Sequence, residues 1–332
     1  MKTFRLDGGE PWLDIGSHGR AGSGKRMYLS PAQIALIGRT VSRTPEVMVK
    51  VTSGRGSSSS RGVAAHFDYI GRRGDLEIET DDGERLVGKD AGQQIIRDWD
   101  LDMDEDRKHR DLFAFNRRKP PKLVHKIIFS MPAGTPPKKV LAAVHDFARE
   151  EFGRKHRYAM VLHTDEPHPH VHVVVKAVSE AGVRLNISKE TLRHWRSEFA
   201  RQLRGRGVAA NATTRSVRGQ SRTSKLDSIF RAAQRGESSH MATRVRDVVR
   251  ELRSGALDQS GTARLQRTRR EIVRGWHAVR DLLAAEGRHQ LADRVSRFVD
   301  QMPPPRTDKQ WLAADLIEQV REPSGRDKPL VR

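Results

Sequence analysis

The stretch HTDEPHPHVHVVV, residues 163–175, is the segment that most narrows what this chain can fold into. In an extended chain successive side chains point to opposite faces, so His170, His172 and Val174 share one face while Val171, Val173 and Val175 share the other. The valines demand a core on their side. The histidines then stand together, and His163 can reach them across the turn at Glu166 to Pro169. Three neutral imidazoles gathered in this way form a facial cap that can hold one metal ion and leave its remaining positions open to water or a substrate oxygen. The competing reading is a solvated histidine-rich turn, but His-x-His at strand spacing with a third His and an Asp upstream is more specific than a tract.

Composition sets the partner. Of 332 residues, 62 are Lys or Arg and 42 Asp or Glu, a formal charge of +20, so nucleic acid is the expected ligand class and an acidic membrane surface the weaker one. The chain has no cysteine, which excludes disulfides, thiolate zinc sites and cysteine nucleophiles and fits a reducing compartment. No apolar run approaches the roughly 20 residues of a membrane span, and MKTFRLDGGEPW lacks the apolar core of a secretion signal. A cytoplasmic protein without membrane insertion is expected.

Three regions are predicted. Residues 1–45 read as a flexible basic arm. Within it GRAGSGKR places Gly19, Gly24 and Lys25 at phosphate-loop spacing, yet Arg26 stands where Ser or Thr should hold magnesium and no apolar strand precedes it. Residues 46–218 read as an α+β domain, an antiparallel sheet with helices packed on one side. Its expected elements are a strand over 47–51, a helix over 63–72 and a hairpin around Asp81-Asp82-Gly83. A strand from Lys122, a helix from Pro136, a strand over RYAMVLH and the histidine strand follow, then a short strand over AGVRLNIS and a Ser188-capped helix to Gly205. The charged segment from Asp98 to Lys119 fits no single class. Residues 219–332 read as a mainly helical basic region with helices over TRVRDVVRELR, a hairpin within 266–300, a Pro-Pro-Pro break and a disordered tail.

A basic protein with an open histidine cap could polarise a phosphate oxygen, and the missing part is a nucleophile. The chain has three tyrosines. Tyr28 lies in the N-terminal arm and Tyr158 opens a core strand, whereas Tyr69 sits in HFDYIGRR with Arg72 and Arg73 close behind, cations suited to a phenolate or a phosphate. From composition alone Tyr69 reads more readily as a helix-packing aromatic.

Four segments in order, GVAAHFDYIGRRGDLEIETDDGERL, KIIFSMPAGTPPKKVLAAVHDFAREEF, HTDEPHPHVHVVVKA and RLNISKETLRHWRSEFARQLRGRGVAANAT, closely resemble the relaxases, the mobilisation nucleases of the HUH endonuclease superfamily. The resemblance spans about residues 45–218 and is strongest for the branch that contains the T-DNA border endonuclease. It implies a conjugative relaxase that nicks single-stranded DNA at an origin of transfer. Tyr69 would be the nucleophile, His163, His170 and His172 the ligands of a divalent metal, Mg or Mn, and Asp165 a charge-tuning acidic residue. The products would be a 5′-phosphotyrosyl strand and a free 3′-hydroxyl, later rejoined. His168 is an extra histidine of this branch with no assigned role, and Lys176 stands where many members carry Asn.

The same resemblance implies relaxosome accessory proteins and a type IV secretion coupling protein as partners, with translocation alongside the transferred strand. DNA-phosphate contacts are expected from Arg72, Arg73, Arg201, Arg204, Arg206, Arg215 and Arg218, because six arginines and no acidic residue lie between Arg201 and Arg222. Two other readings compete. One is a DNA-binding accessory or degenerate relaxase that does not cut. The other is a histidine-triad nucleotide hydrolase, suggested by the spacing of His168, His170 and His172 and opposed by Pro169 inside the triad and by the charge.

Overall fold

The computed structural model describes residues 28–52, 57–106, 121–221, 238–255, 257 and 259–321. The glycine-rich Gly19 to Arg26 stretch, the charged residues 107–120 and the C-terminal tail lie outside them. Contacts gather into two units, one formed by Arg43–Ala212 and the other by the chain up to Ser42 together with Thr213 onward.

The Arg43–Ala212 unit is built on a six-stranded antiparallel sheet. Its strands are β1 (Met48–Thr52), β2 (Ile78–Thr80), β3 (Arg85–Leu86), β4 (Val124–Ser130), β5 (Tyr158–His163) and β6 (His170–Lys176), in the order β1-β4-β6-β5-β2-β3. The histidine strand β6 is therefore central, and the α+β class expected from sequence is the one observed. Register follows the side-chain period of two: Val171, Val173 and Val175 face the same core as Val49, Ile127, Phe129 and Met160. Helices α4 (Pro137–Glu151) and α5 (Lys189–Gly205) cover this face, with α5 opened by a Ser188–Thr191 capping box. The interior between them is aromatic, with Phe129 4.8 Å from Phe147 and 5.2 Å from Phe199 by ring centroid, and Phe152 5.4 Å from Trp195. Such pairs add about 1 kcal/mol each beyond the area they bury, which makes this a stiff floor under the histidine rows.

The expectation of helices on one side needs a correction that matters for function. Helices α2 (Ser60–Ile70) and α3 (Ala91–Asp98) pack on the opposite face, the histidine face, against Val124, Ala159, Val161 and Val174. The reason is in α2, whose Val63, Ala64, Phe67 and Ile70 recur at helical spacing and need a second apolar surface. Gly92 of α3 allows the close approach, since a Cβ there would sit 3.1 Å from that of Phe67. α3 itself was not foreseen, and the strand expected over AGVRLNIS does not form. Those residues make one isolated bridge, Val178 to Arg184, while Leu185 and Ile187 dock on the core flank, so apolar alternation there reflects burial without a ladder.

In the second unit, α1 (Pro31–Val41) lies inside the stretch read as an arm. Ser30 and Gln33 close a capping box around Pro31, and Leu29 and Ile37 join a core with Trp276, Val279, Leu283 and Val295. That core belongs to the hairpin of α7 (Thr262–Ala285) and α8 (His289–Asp300), as expected for 266–300. α6 (Ser239–Arg253) packs with α9 (Asp308–Arg321) through Val248, Leu312 and Ala313. α9 had been missed, although Thr307 and Gln310 cap it reciprocally.

Burial of histidines in the sheet unit gives it an acid limit. His125 on β4 is pushed down to about 4 by burial, then by the charges of Lys122 and Arg184, and His66 on α2 is pushed down to about 4 by burial and the Lys126 charge. Both are neutral when folded, whereas unfolding restores a pKa of about 6.5. The unfolded chain thus binds more protons between those values, so stability is expected to fall as pH drops from about 6.5 towards 4. Allowing for partial exposure, each contributes about 2 kcal/mol over that window. Urea titrations at a series of pH values test this: His125→Leu should flatten the slope, and an unchanged slope would contradict it.

Candidate metal and nucleophile site

The site forms where β5 and β6 end together. His163 pairs directly opposite His170, and His172 lies opposite Val161, so all three imidazoles project from one face. Their ring centroids are 4.5 to 5.2 Å apart. One ligand nitrogen from each lies within 4.8 Å of the others, and among the described residues this is the group that could hold a metal ion. Nitrogens about 2.1 Å from a shared ion stand closer together than that, so ring rotations must draw them inward.

Hydrogen bonds select the donor atoms. His163 is buried, and its Nε2 lies 2.7 Å from the carbonyl oxygen of Ile70, an arrangement in which Nε2–H donates and Nδ1 keeps its lone pair. His170 Nδ1 lies 3.0 Å from the carbonyl oxygen of His168, which leaves Nε2 for an ion. This is the place the structure finds for His168: its carbonyl orients a neighbour, while its imidazole is exposed. His172 is pushed down to about 3 by burial, then by the neighbouring His163, His170, His66 and Arg72, so it stands neutral. Burial likewise lowers His163, with Arg72 adding to the effect against the bond to Ile70. Neutral imidazoles are what a metal requires.

Tyr69 arrives on α2, the helix on the histidine face. Its position follows from that helix: Phe67 and Ile70 turn inward, leaving Tyr69 60% exposed. His66, one turn earlier, stacks 6.4 Å from Tyr69 and meets the His172 ring edge-on at 6.3 Å, so one imidazole links nucleophile candidate and cap. The chain then leaves α2 through Gly71 and a 3-10 turn in which Arg72 and Arg73 take φ of 52° and 60°. Gly74, at φ 98°, presses its backbone against Gly88, where any Cβ would meet the Gly88 carbonyl carbon at 2.5 Å. This anchored turn aims Arg72 back into the site. Its guanidinium stands 5.5 Å from the Tyr69 ring centre, ion-pairs with Asp165 and donates to His163 Nδ1 at 3.3 Å, a contact that an ion bound at that nitrogen would displace. Burial would raise the Asp165 carboxyl, but Arg72 outweighs it and holds the pKa below the usual range. Asp165 therefore stands against Arg72 rather than in the histidine group.

The other residues singled out from sequence are more dispersed. Arg73 is exposed. Arg201 pairs with Glu150 and Glu198, Arg206 pairs with Asp146, and Arg204 donates to the Ala210 carbonyl, so these three are partly committed within the fold. Arg215 and Arg218 lie in the other unit. Lys176 is buried at the far end of β6, paired with Asp104 and Glu180 and away from the cap. His66 and Lys126 were passed over; for His66 the available signal was its three-residue spacing from Tyr69 on one helix.

The family match falls within the sheet unit. Residues 81–207 match the family model of the relaxase, MobA/VirD2-like, nuclease domain. That stretch is similar to the nuclease domain of such relaxases; it contains His163, Asp165, His170 and His172 but begins downstream of Tyr69. T-DNA border endonucleases VirD2 are similar to it. That of Rhizobium radiobacter is 24% identical over 206 residues, covering 52% of this chain and 43% of the relative. That of Rhizobium rhizogenes is 24% identical over 198 residues, covering 52% and 42%. The match thus spans under half the length of these relatives. A solved structure described as "Molecular Basis of Vancomycin Resistance Transfer in Staphylococcus aureus" aligns with 52% of this chain and 99% of its own, at 15% identity and a TM-score of 0.32.

Proposed function

We propose that this protein is a conjugative relaxase that nicks single-stranded DNA at an origin of transfer through Tyr69. The observation that carries the reading is the delivery of an exposed tyrosine, on its own helix, to the sheet face that bears three clustered histidines. A divalent cation held by His163, His170 and His172, Mg or Mn by resemblance, would supply positive charge at the scissile phosphate. The Tyr69 hydroxyl oxygen attacks phosphorus, the P–O3′ bond breaks, and the proton lost by tyrosine is balanced by the one gained on the departing 3′-oxygen. The strand left on Tyr69 is joined through its 5′-phosphate. Attack by a 3′-hydroxyl on that phosphotyrosine reverses the step and conserves the bond energy that hydrolysis would lose.

Arg72, paired with Asp165 beside Tyr69, would donate to a non-bridging phosphate oxygen. Exposed Arg73, with Arg215 and Arg218, would add backbone contacts; Arg201 and Arg206 would first have to give up their acidic partners. Accessory proteins at the origin and a secretion coupling protein are the partners this role needs.

The test is incubation of the chain with single-stranded and duplex forms of the DNA flanking its own gene. Cutting of the single strand is expected, abolished by chelator and restored by Mn or Mg. If four phosphates are contacted, log affinity should fall with log salt at a slope near −3, since each contributes about 0.7 on a single strand. Chelator-resistant cutting, or binding indifferent to salt, would overturn the proposal.

A further inference from the structure

We infer that Lys126, with His66 beside it, forms a seat for one DNA backbone phosphate next to the scissile one, a contact that rests on the nicking role proposed above. Lys126 stands at the middle of β4 on the histidine face. Adjacent rows across the sheet there are Thr52–Lys126–Val174–Ala159 and Lys50–Ile128–His172–Val161, so Lys126 is one row from a cap histidine. Same-face neighbours on a strand are about 6.6 Å apart, within one nucleotide's reach of the cap.

Two independent observations point to an anionic ligand. Lys126 is 5% exposed, yet it makes no ion pair or side-chain hydrogen bond among the described residues, whereas the other buried lysine of the sheet, Lys176, is paired with two carboxylates. A lysine set this deeply in the sheet without a counter-charge is costly unless something else repays it. The second observation is His66, whose Nε2 is buried with no hydrogen-bond partner although its ring touches both Tyr69 and His172. Lys126 stands one row from His172 and the His66 ring lies 6.3 Å from it, so the pair brings one cation and one unpartnered ring nitrogen to the same face. A phosphodiester oxygen satisfies both, and its charge offsets the ammonium. Neither residue is a metal ligand in the cap, so the seat works on the strand and fixes where the next phosphate lies relative to Tyr69.

The two-sided consequence separates this from a structural role. Lys126→Met removes an uncompensated buried charge and keeps the length of the side chain, so it should raise the melting temperature of the DNA-free protein. The same change should weaken binding of a short oligothymidine strand roughly tenfold and reduce the salt slope by about 0.7. Lys126→Arg should restore most of the affinity and slope, and Mn binding followed by calorimetry should be unchanged in both. His66→Phe, which keeps a ring against Tyr69 without Nε2, should weaken the strand by a few-fold, with His66→Gln restoring it. If wild-type protein binds and cuts single-stranded DNA while Lys126→Met lowers stability and leaves affinity and slope unaltered, Lys126 is structural and the inference fails alone. If wild-type protein neither binds nor cuts, the nicking role fails and takes the seat with it.

Discussion

Tyr69→Phe is expected to abolish strand cutting, with a loss of at least about a thousandfold, while affinity for single-stranded DNA and for Mn stays within a few-fold of wild type. The substitution removes one oxygen from a side chain that is largely exposed, on a helix anchored by Val63, Phe67 and Ile70, so the fold has little reason to notice. The stacking against His66 and the contact with Arg72 involve the ring and survive. Tyr28→Phe and Tyr158→Phe serve as controls: Tyr158 is buried under α4, and its hydroxyl is pushed up to about 12 by burial and then by Asp81 and Glu79, which makes it a poor nucleophile. Retained cutting by Tyr69→Phe, measured on labelled oligonucleotides under denaturing conditions, would move the nucleophile elsewhere.

His172→Ala is expected to weaken Mn binding by more than about a hundredfold, because even loss of a group that only orients a ligand costs 10- to 100-fold. His163 and His170 alone offer two nitrogens and no facial cap. His168→Ala provides the contrast. Only its carbonyl reaches His170, and alanine keeps that carbonyl, so affinity should change by no more than a few-fold. Equal losses in the two variants, by calorimetry at neutral pH, would mean that the ion sits at another group.

Much of the site was legible because β6 obeys a period of two without interruption: valines to the core, histidines to one side, with His163 brought opposite His170 by an antiparallel turn. The Ser188 cap and the Trp276 hairpin were legible for a similar reason, each being a local pattern. What escaped depends on contacts between distant segments. α3 has only Ile95 and Ile96 as strong apolar residues and is short, yet it is held by the surface of α2. That same pairing puts helices on the histidine face, which no local pattern in 163–175 reveals. The commitment of Arg201 and Arg206 to Glu150 and Asp146 is another such case, since an arginine-rich stretch looks free until α4 is folded beside it. Lys126 was hidden in KIIFS because its meaning lies in what surrounds it: a single charge on a strand is ordinary, and a buried one without a partner is not.

The central claim is that Tyr69 and the histidine cap act on one phosphate. Its most direct test is to incubate wild-type protein and Mn with single-stranded origin DNA labelled on either side of the nick, denature, digest, and map the adduct by mass spectrometry. The account predicts a phosphodiester on Tyr69 carrying the 5′ end of the downstream strand, formed only when the ion is present and lost in His172→Ala. An adduct on any other residue, attachment through a 3′ end, or an adduct that forms in chelator would contradict it.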